Sequence, residues 1–137
     1  MQPNSSHVDV IVAEAKSRDS GPAAVIATDL VGTIVYWNEQ ATTLYGWPAE
    51  EAMGRNVLDM TPTYTSAEEG ARIMEQVRSG ESWTGEFICR RRDGERMVTH
   101  VTDLPVRHGK DVVGIVGISR AERRPTPFSG IPRIESD

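Results

Sequence analysis

The sequence is short of cysteine, histidine and long apolar runs, and each shortage excludes a class of protein. Cys89 is the only cysteine among 137 residues, so no intrachain disulfide can form. One lone thiol fits a reducing compartment. His7, His100 and His108 are scattered along the chain. With one cysteine they give no spacing for a structural metal, which needs three or four converging ligands, so no metal is expected. No apolar run approaches the roughly 20 residues that cross a bilayer, and no membrane partner is expected. The opening Met1–Val10 lacks a basic patch followed by an apolar segment. No secretory signal is read there, Met1 reads as the natural start, and a cytoplasmic location is implied. Nucleophile elbow, phosphate loop and HExxH patterns are also missing, so the chain is not expected to be an enzyme.

Positive charge is likewise in short supply. The net charge of -5 argues against nucleic acid as the partner. Basic residues cluster at Arg90, Arg91 and Arg92 and at Arg120, Arg123 and Arg124, and both groups read as solvated strand ends. The length suits one domain, large enough to bury a core without disulfide or metal.

The hydrophobic period divides the chain. Val8, Ile11, Val12 and Ala15 recur at helical spacing from His7 to Ser17, with Asp9 and Glu14 early and Lys16 and Arg18 late. Ala24–Thr28 and Thr33–Trp37 read as strands joined by a turn in which Gly32 takes positive φ. Asn38 is an N-cap for a short helix ending at Gly46. Short helical turns follow around Pro48–Gly54 and Asn56–Met60. Ser66 with Glu69 forms a capping box that opens the longest helix, Ser66–Ser79. From Trp83 onward the period becomes that of strands: Trp83–Arg92, then Arg96–Arg107 after the two-residue turn Asp93–Gly94, then Val112–Ser119. The last is apolar on both faces, which predicts a central strand. The order is α+β. Residues 1–21 form a tail and amphipathic helix, 22–122 the main domain, and 123–137, with Pro125, Pro127 and Pro132, a linker or disordered end.

Ala24 to Arg120 resembles the PAS domains, in particular the generic PAS domains of bacterial sensor proteins. The resemblance is carried by Val25–Asp29 with Gly32, Ile34–Asn38, Ala41, Leu44–Trp47, Glu50–Ala52 and Gly54–Arg55. It continues through Gly80, Trp83–Phe87, Arg91–Gly94, Leu104–Val106 and Gly114–Arg120. The order and spacing are specific, although no one piece is. The resemblance implies the PAS fold: a five-stranded antiparallel sheet in the order 2-1-5-4-3, short helices on one face, and the N-terminal helix outside it. Dimerisation through that helix is implied, with Val8, Ile11, Val12 and Ala15 as interface candidates. The chain departs from the family at its exit, where Ala121 stands in place of the expected aspartate.

By similarity to the flavin-binding members, Cys89, Thr99 and Ser119 point at the helices. Strand alternation then brings Phe87, Val101, Val113 and Ile115 to the same side. The helices add Val57, Met60, Ile73, Met74 and Val77. The result is either a mainly apolar ligand pocket or a filled core. Haem is not expected, because the haem-binding relatives carry their histidine on the long helix and Ser66–Ser79 has none. The light-sensing LOV subclass uses a cysteine in a Gly-x-Asn-Cys pattern. Here Gly54-Arg55-Asn56-Val57 puts valine at that position, which excludes LOV-type flavin photochemistry and leaves the cofactor unknown. Cys89 reads as a buried, inert thiol.

Three functions remain. The first is a sensory PAS module of a signalling protein, such as a two-component system. It would bind a small apolar ligand, form a homodimer, and control an effector: a kinase, cyclase, phosphatase or transcription factor. The second is a structural dimerisation module with a filled core. The third is a small cone-shaped isomerase or hydratase using Asp103 as a base, with Tyr64 or Tyr45 as its acid.

Overall fold

The computed structural model describes residues 5–122. The elements are α1 (Ser5–Arg18), β1 (Ala24–Asp29), β2 (Ile34–Trp37), α2 (Glu39–Tyr45), α3 (Ala49–Ala52), α4 (Val57–Met60), α5 (Ala67–Arg78), β3 (Trp83–Arg90), β4 (Arg96–His108) and β5 (Asp111–Ala121). All strand pairs are antiparallel, and the sheet runs β2-β1-β5-β4-β3. The apolar strand β5 is central, as its two-sided pattern requires.

Two cores flank the sheet. On one face Ile11 and Ala15 of α1 pack with Val25, Ala27, Val106, Val113 and Val116. On the other, Ala24, Ile26, Ile34, Trp37 and Cys89 meet Ala41 and Tyr45 of α2, Ala52 of α3 and Met60 of α4. Residues of β1 alternate between the cores, as the period of two dictates. Full burial of Ile11 is worth about 2–3 kcal/mol. Gly114 makes that contact possible: a Cβ there would stand 2.5 Å from Ile11 Cδ1 and 2.7 Å from the Thr28 carbonyl oxygen.

Local signals act as their chemistry predicts. Asn38 caps α2 by accepting from Ala41 N, Ser66 caps α5 by accepting from Glu69 N, and Gly46 ends α2 at φ 90°. The Asn38 side chain does more than cap. Its Oδ1 also accepts from Val25 N at 3.0 Å, and its Nδ2 donates to Asp19 Oδ1 at 2.9 Å and to the Ala23 carbonyl at 3.2 Å. Asp19 Oδ2 in turn accepts from Tyr36 Oη at 2.6 Å. That hydrogen bond, then burial, pushes the Tyr36 phenol up to about 12. Trp37 Nε1 donates to Thr42 Oγ1 and the Trp47 carbonyl, both at 3.0 Å, which ties the first hairpin to the short helices.

Three expectations are corrected. Helix α1 begins at Ser5, so Asp9 falls outside its first turn. The β3–β4 connection is not a two-residue turn: Arg90 pairs with Arg96, and residues 91–95 form a longer loop closed by Arg91 N to the Glu95 carbonyl at 2.8 Å. Val113 does not share a face with Ile115. Val106 pairs with Gly114 and Arg107 with Val112, so Val113 is the extra residue of a bulge. The bulge breaks the alternation, and Val113 joins the α1 core.

Candidate functional site

A cavity of about 650 Å³ lies between the sheet and the helices. Its floor is Ile26 and Thr28 of β1, Phe87 and Cys89 of β3, Val101 and Asp103 of β4, and Ile115, Gly117 and Ser119 of β5. Tyr45 of α2, Val57 of α4, and Ile73 and Met74 of α5 border it from above. Leu30, Val31, Leu58 and Arg78 also line it, with the polar Asn56, Thr61, Thr63, Thr65 and Ser66 among the remaining residues. Val31 and Leu58 are among the most exposed large apolar side chains, and they mark the mouth. Across it Arg78 Nη2 donates to the Leu30 carbonyl at 2.9 Å, tying α5 to the β1–β2 turn.

Eight of the sequence candidates line this space: Val57, Ile73, Met74, Phe87, Cys89, Val101, Ile115 and Ser119. Four do not. Val113 is carried to the other face by the bulge. Met60 and Val77 are buried in packing, at 2% and 0% exposure. Thr99 is fully buried behind its neighbours, 3.2 Å from Cys89 Sγ and donating to the Phe87 carbonyl at 3.3 Å. The interior is therefore not filled.

The polar groups of the wall mostly satisfy one another. Tyr45 Oη and Ser119 Oγ are 3.0 Å apart. Burial pushes the Tyr45 phenol well above its ordinary range, with the Ser119 contact working against it. Burial likewise raises the Cys89 thiol, and the Thr99 hydrogen bond opposes that rise. Cys89 is thus held as a thiol rather than the reactive thiolate. Asp103 is different. It faces Gly117 across the β4–β5 ladder, and burial alone pushes its carboxyl up to about 6. Of its suggested acid partners, Tyr45 lines the same cavity, whereas Tyr64 is 49% exposed and lies under the Arg96 guanidinium, 4.7 Å from the ring centre.

The interface candidates divide as well. Ile11 and Ala15 are fully buried against the chain's own sheet, so they are withdrawn as surface contacts. Val8 and Val12 are half-buried. The basic clusters are not simply solvated: Arg91 donates to the Thr43 and Leu44 carbonyls, and Arg92 lies 4.6 Å over the Trp47 ring. Arg123, Arg124 and the proline-rich tail lie outside the described residues.

His100 is not among the residues that line the cavity. Spacing along the chain concealed its neighbours. His100 Nε2 is 3.0 Å from Glu86 Oε2 and 2.7 Å from Glu122 Oε2. One ligand-type atom from each of the three lies within 4.8 Å of the others, so the expectation of no clustered metal-type groups is corrected. Pairing of β3 with β4 sets Glu86 opposite His100, and Glu122 joins them from just past the end of β5, where its N–H donates to the Val98 carbonyl at 2.8 Å.

A family model described as the PAS fold matches residues 19–120. Phototropin-2 of Oryza sativa subsp. japonica is 32% identical over 62% of this chain, which spans 10% of that protein's length. The crystal structure of the PAS domain of a protein from Colwellia psychrerythraea is 28% identical, with a TM-score of 0.68, covering 83% of this chain and 98% of that one. The structure of an RNA-binding Light-Oxygen-Voltage receptor superposes with a TM-score of 0.68 at 22% identity, covering 88% of this chain and 35% of that one. A phototropin and a LOV receptor are thus similar to this chain, and the exclusion of LOV-type flavin chemistry drawn from Val57 is corrected. Val57 bears on one thiol position. It does not decide what the cavity holds.

Proposed function

The chain belongs to the PAS family of sensory and signalling modules, and from that premise we propose that it is a ligand-responsive sensor whose cavity takes up a small, mainly apolar molecule. The observation that carries the reading is the cavity itself: about 650 Å³, walled largely by apolar side chains, with an apolar rim at Val31 and Leu58. Such spaces suit small ligands, whose binding is driven by apolar burial and oriented by a few polar groups.

The response runs through β5. Ile115 and Ser119 border the cavity, while Gly114 and Val116 meet α1 on the opposite face. A ligand that shifts β5 therefore shifts the seat of α1, provided that it binds the two arrangements with different affinity. We read the module as a homodimer in which the half-buried Val8 and Val12 of α1 take part, coupled to an effector in a two-component or transcription-regulating pathway.

Native mass spectrometry of the purified protein, followed by denaturing extraction and an absorption spectrum, tests the reading. A stoichiometric small-molecule adduct on a dimer supports it and gives the chemical class. A bare dimer that no apolar compound stabilises against heat points instead to an assembly module.

A further inference from the structure

We infer that the cavity selects molecules that join an apolar body to a single cationic N–H head, and that Asp103 is the selecting group. This rests on the reading of the cavity as a ligand site and goes on to name the chemistry of the ligand. Of the other polar groups around the cavity, Thr28, Thr63 and Thr65 offer only neutral hydroxyls, and the rest are engaged. Tyr45 and Ser119 hold each other, Cys89 is held by Thr99, and Thr61 Oγ1 donates to the Val57 carbonyl at 3.0 Å. The Asp103 carboxylate receives no donor among the described residues, and burial is the one influence on it.

A carboxylate is an acceptor only, and leaving it unpaired in an apolar wall is costly. Gly117 keeps it uncovered, since a Cβ at that position would stand 3.1 Å from Asp103 Oδ1. A bound ammonium or amidinium group supplies the missing donor as a charge-assisted hydrogen bond. A neutral head supplies less, and an anionic head is repelled. Arg78 is the one cation of the lining, but it is exposed at the mouth and engaged with the Leu30 carbonyl.

The test uses the whole chain with 1-aminoanthracene, an apolar fluorophore with a weakly basic amine, as a reporter of cavity occupancy. Octylamine, 1-octanol and octanoate compete with it at mildly alkaline pH. Octylamine is expected to displace the reporter at roughly tenfold lower concentration than octanol, with octanoate weakest. Asp103→Asn should retain the reporter and lose the amine preference. Gly117→Ala, which crowds the carboxylate without changing its charge, should weaken octylamine several-fold relative to octanol. Equal potency of the three competitors, a preference for octanoate, or an amine preference that survives Asp103→Asn overturns the inference while leaving the cavity reading intact. A reporter that never binds overturns both.

Discussion

Gly117 and Asp103 face each other across the β4–β5 ladder so closely that a methyl group on the glycine would stand 3.1 Å from the carboxylate oxygen. The absent side chain leaves a half-buried carboxylate in contact with cavity space rather than with protein donors.

Stability should record that arrangement. The Asp103 carboxyl is raised from 3.8 to about 6 in the folded chain. The folded state therefore holds its proton more tightly than the unfolded state. The associated stability is fully present below the unfolded value and is lost as pH rises through about 6. Its magnitude is about 1–3 kcal/mol, the lower end applying where cavity water solvates the group. Asp103→Asn should remove this loss. Urea denaturation of both proteins between mildly acidic and neutral pH checks it, and parallel stability curves would contradict it.

The sequence carried the fold further than the site. Glycine and proline punctuation, the Ser66 and Asn38 caps and the two-sided apolar pattern of β5 act locally, so they are legible along the chain. The faces of β3, β4 and β5 follow alternation from the positions that the family resemblance supplied, and Phe87, Val101 and Ile115 lie on the cavity side with Cys89 and Ser119. Alternation failed at Val113, because a bulge depends on how two strands pair. Thr99 was misjudged because burial behind Cys89 and Phe87 is a matter of packing. The network of Asp19 with Tyr36 and Asn38, and the meeting of His100 with Glu86 and Glu122, join residues whose sequence separation hides them.

Replacing Gly114 should dislodge α1. Gly114→Ala drives a methyl against Ile11 and the Thr28 carbonyl, 2.7 Å away, and the latter, being backbone, yields little. A cost of about 2–4 kcal/mol is expected. Amide exchange should accelerate in α1 before it does in β3 and β4. Uniform acceleration, or none, would count against the packing described.

Asn38 secures α1, β1 and α2 at once. Asn38→Ala removes the side-chain acceptor of the Val25 amide, one of the two acceptors of the Ala41 amide, and the donor to Asp19. Thermal or urea unfolding should show a loss of about 2–4 kcal/mol. A loss below about 0.5 kcal/mol would mean that water replaces the network readily.

Arg78 should act on rates more than on stability. Its bond to the Leu30 carbonyl is exposed, so Arg78→Ala should cost less than about 1 kcal/mol. By freeing α5 from the β1–β2 turn, it should speed both entry and release of 1-aminoanthracene several-fold, as read by stopped-flow fluorescence. Unchanged rates would move the entrance elsewhere.

The most direct test of the account is a solution NMR titration of the chain with 1-aminoanthracene. The account predicts saturable shifts at Ile115, Gly117 and Ser119 on the cavity side of β5, accompanied by shifts at Ile11 and Ala15 of α1 on the far side of the sheet. Saturable shifts confined to the cavity wall would contradict the coupling to α1, and the absence of any saturable shift would contradict the cavity as a ligand site.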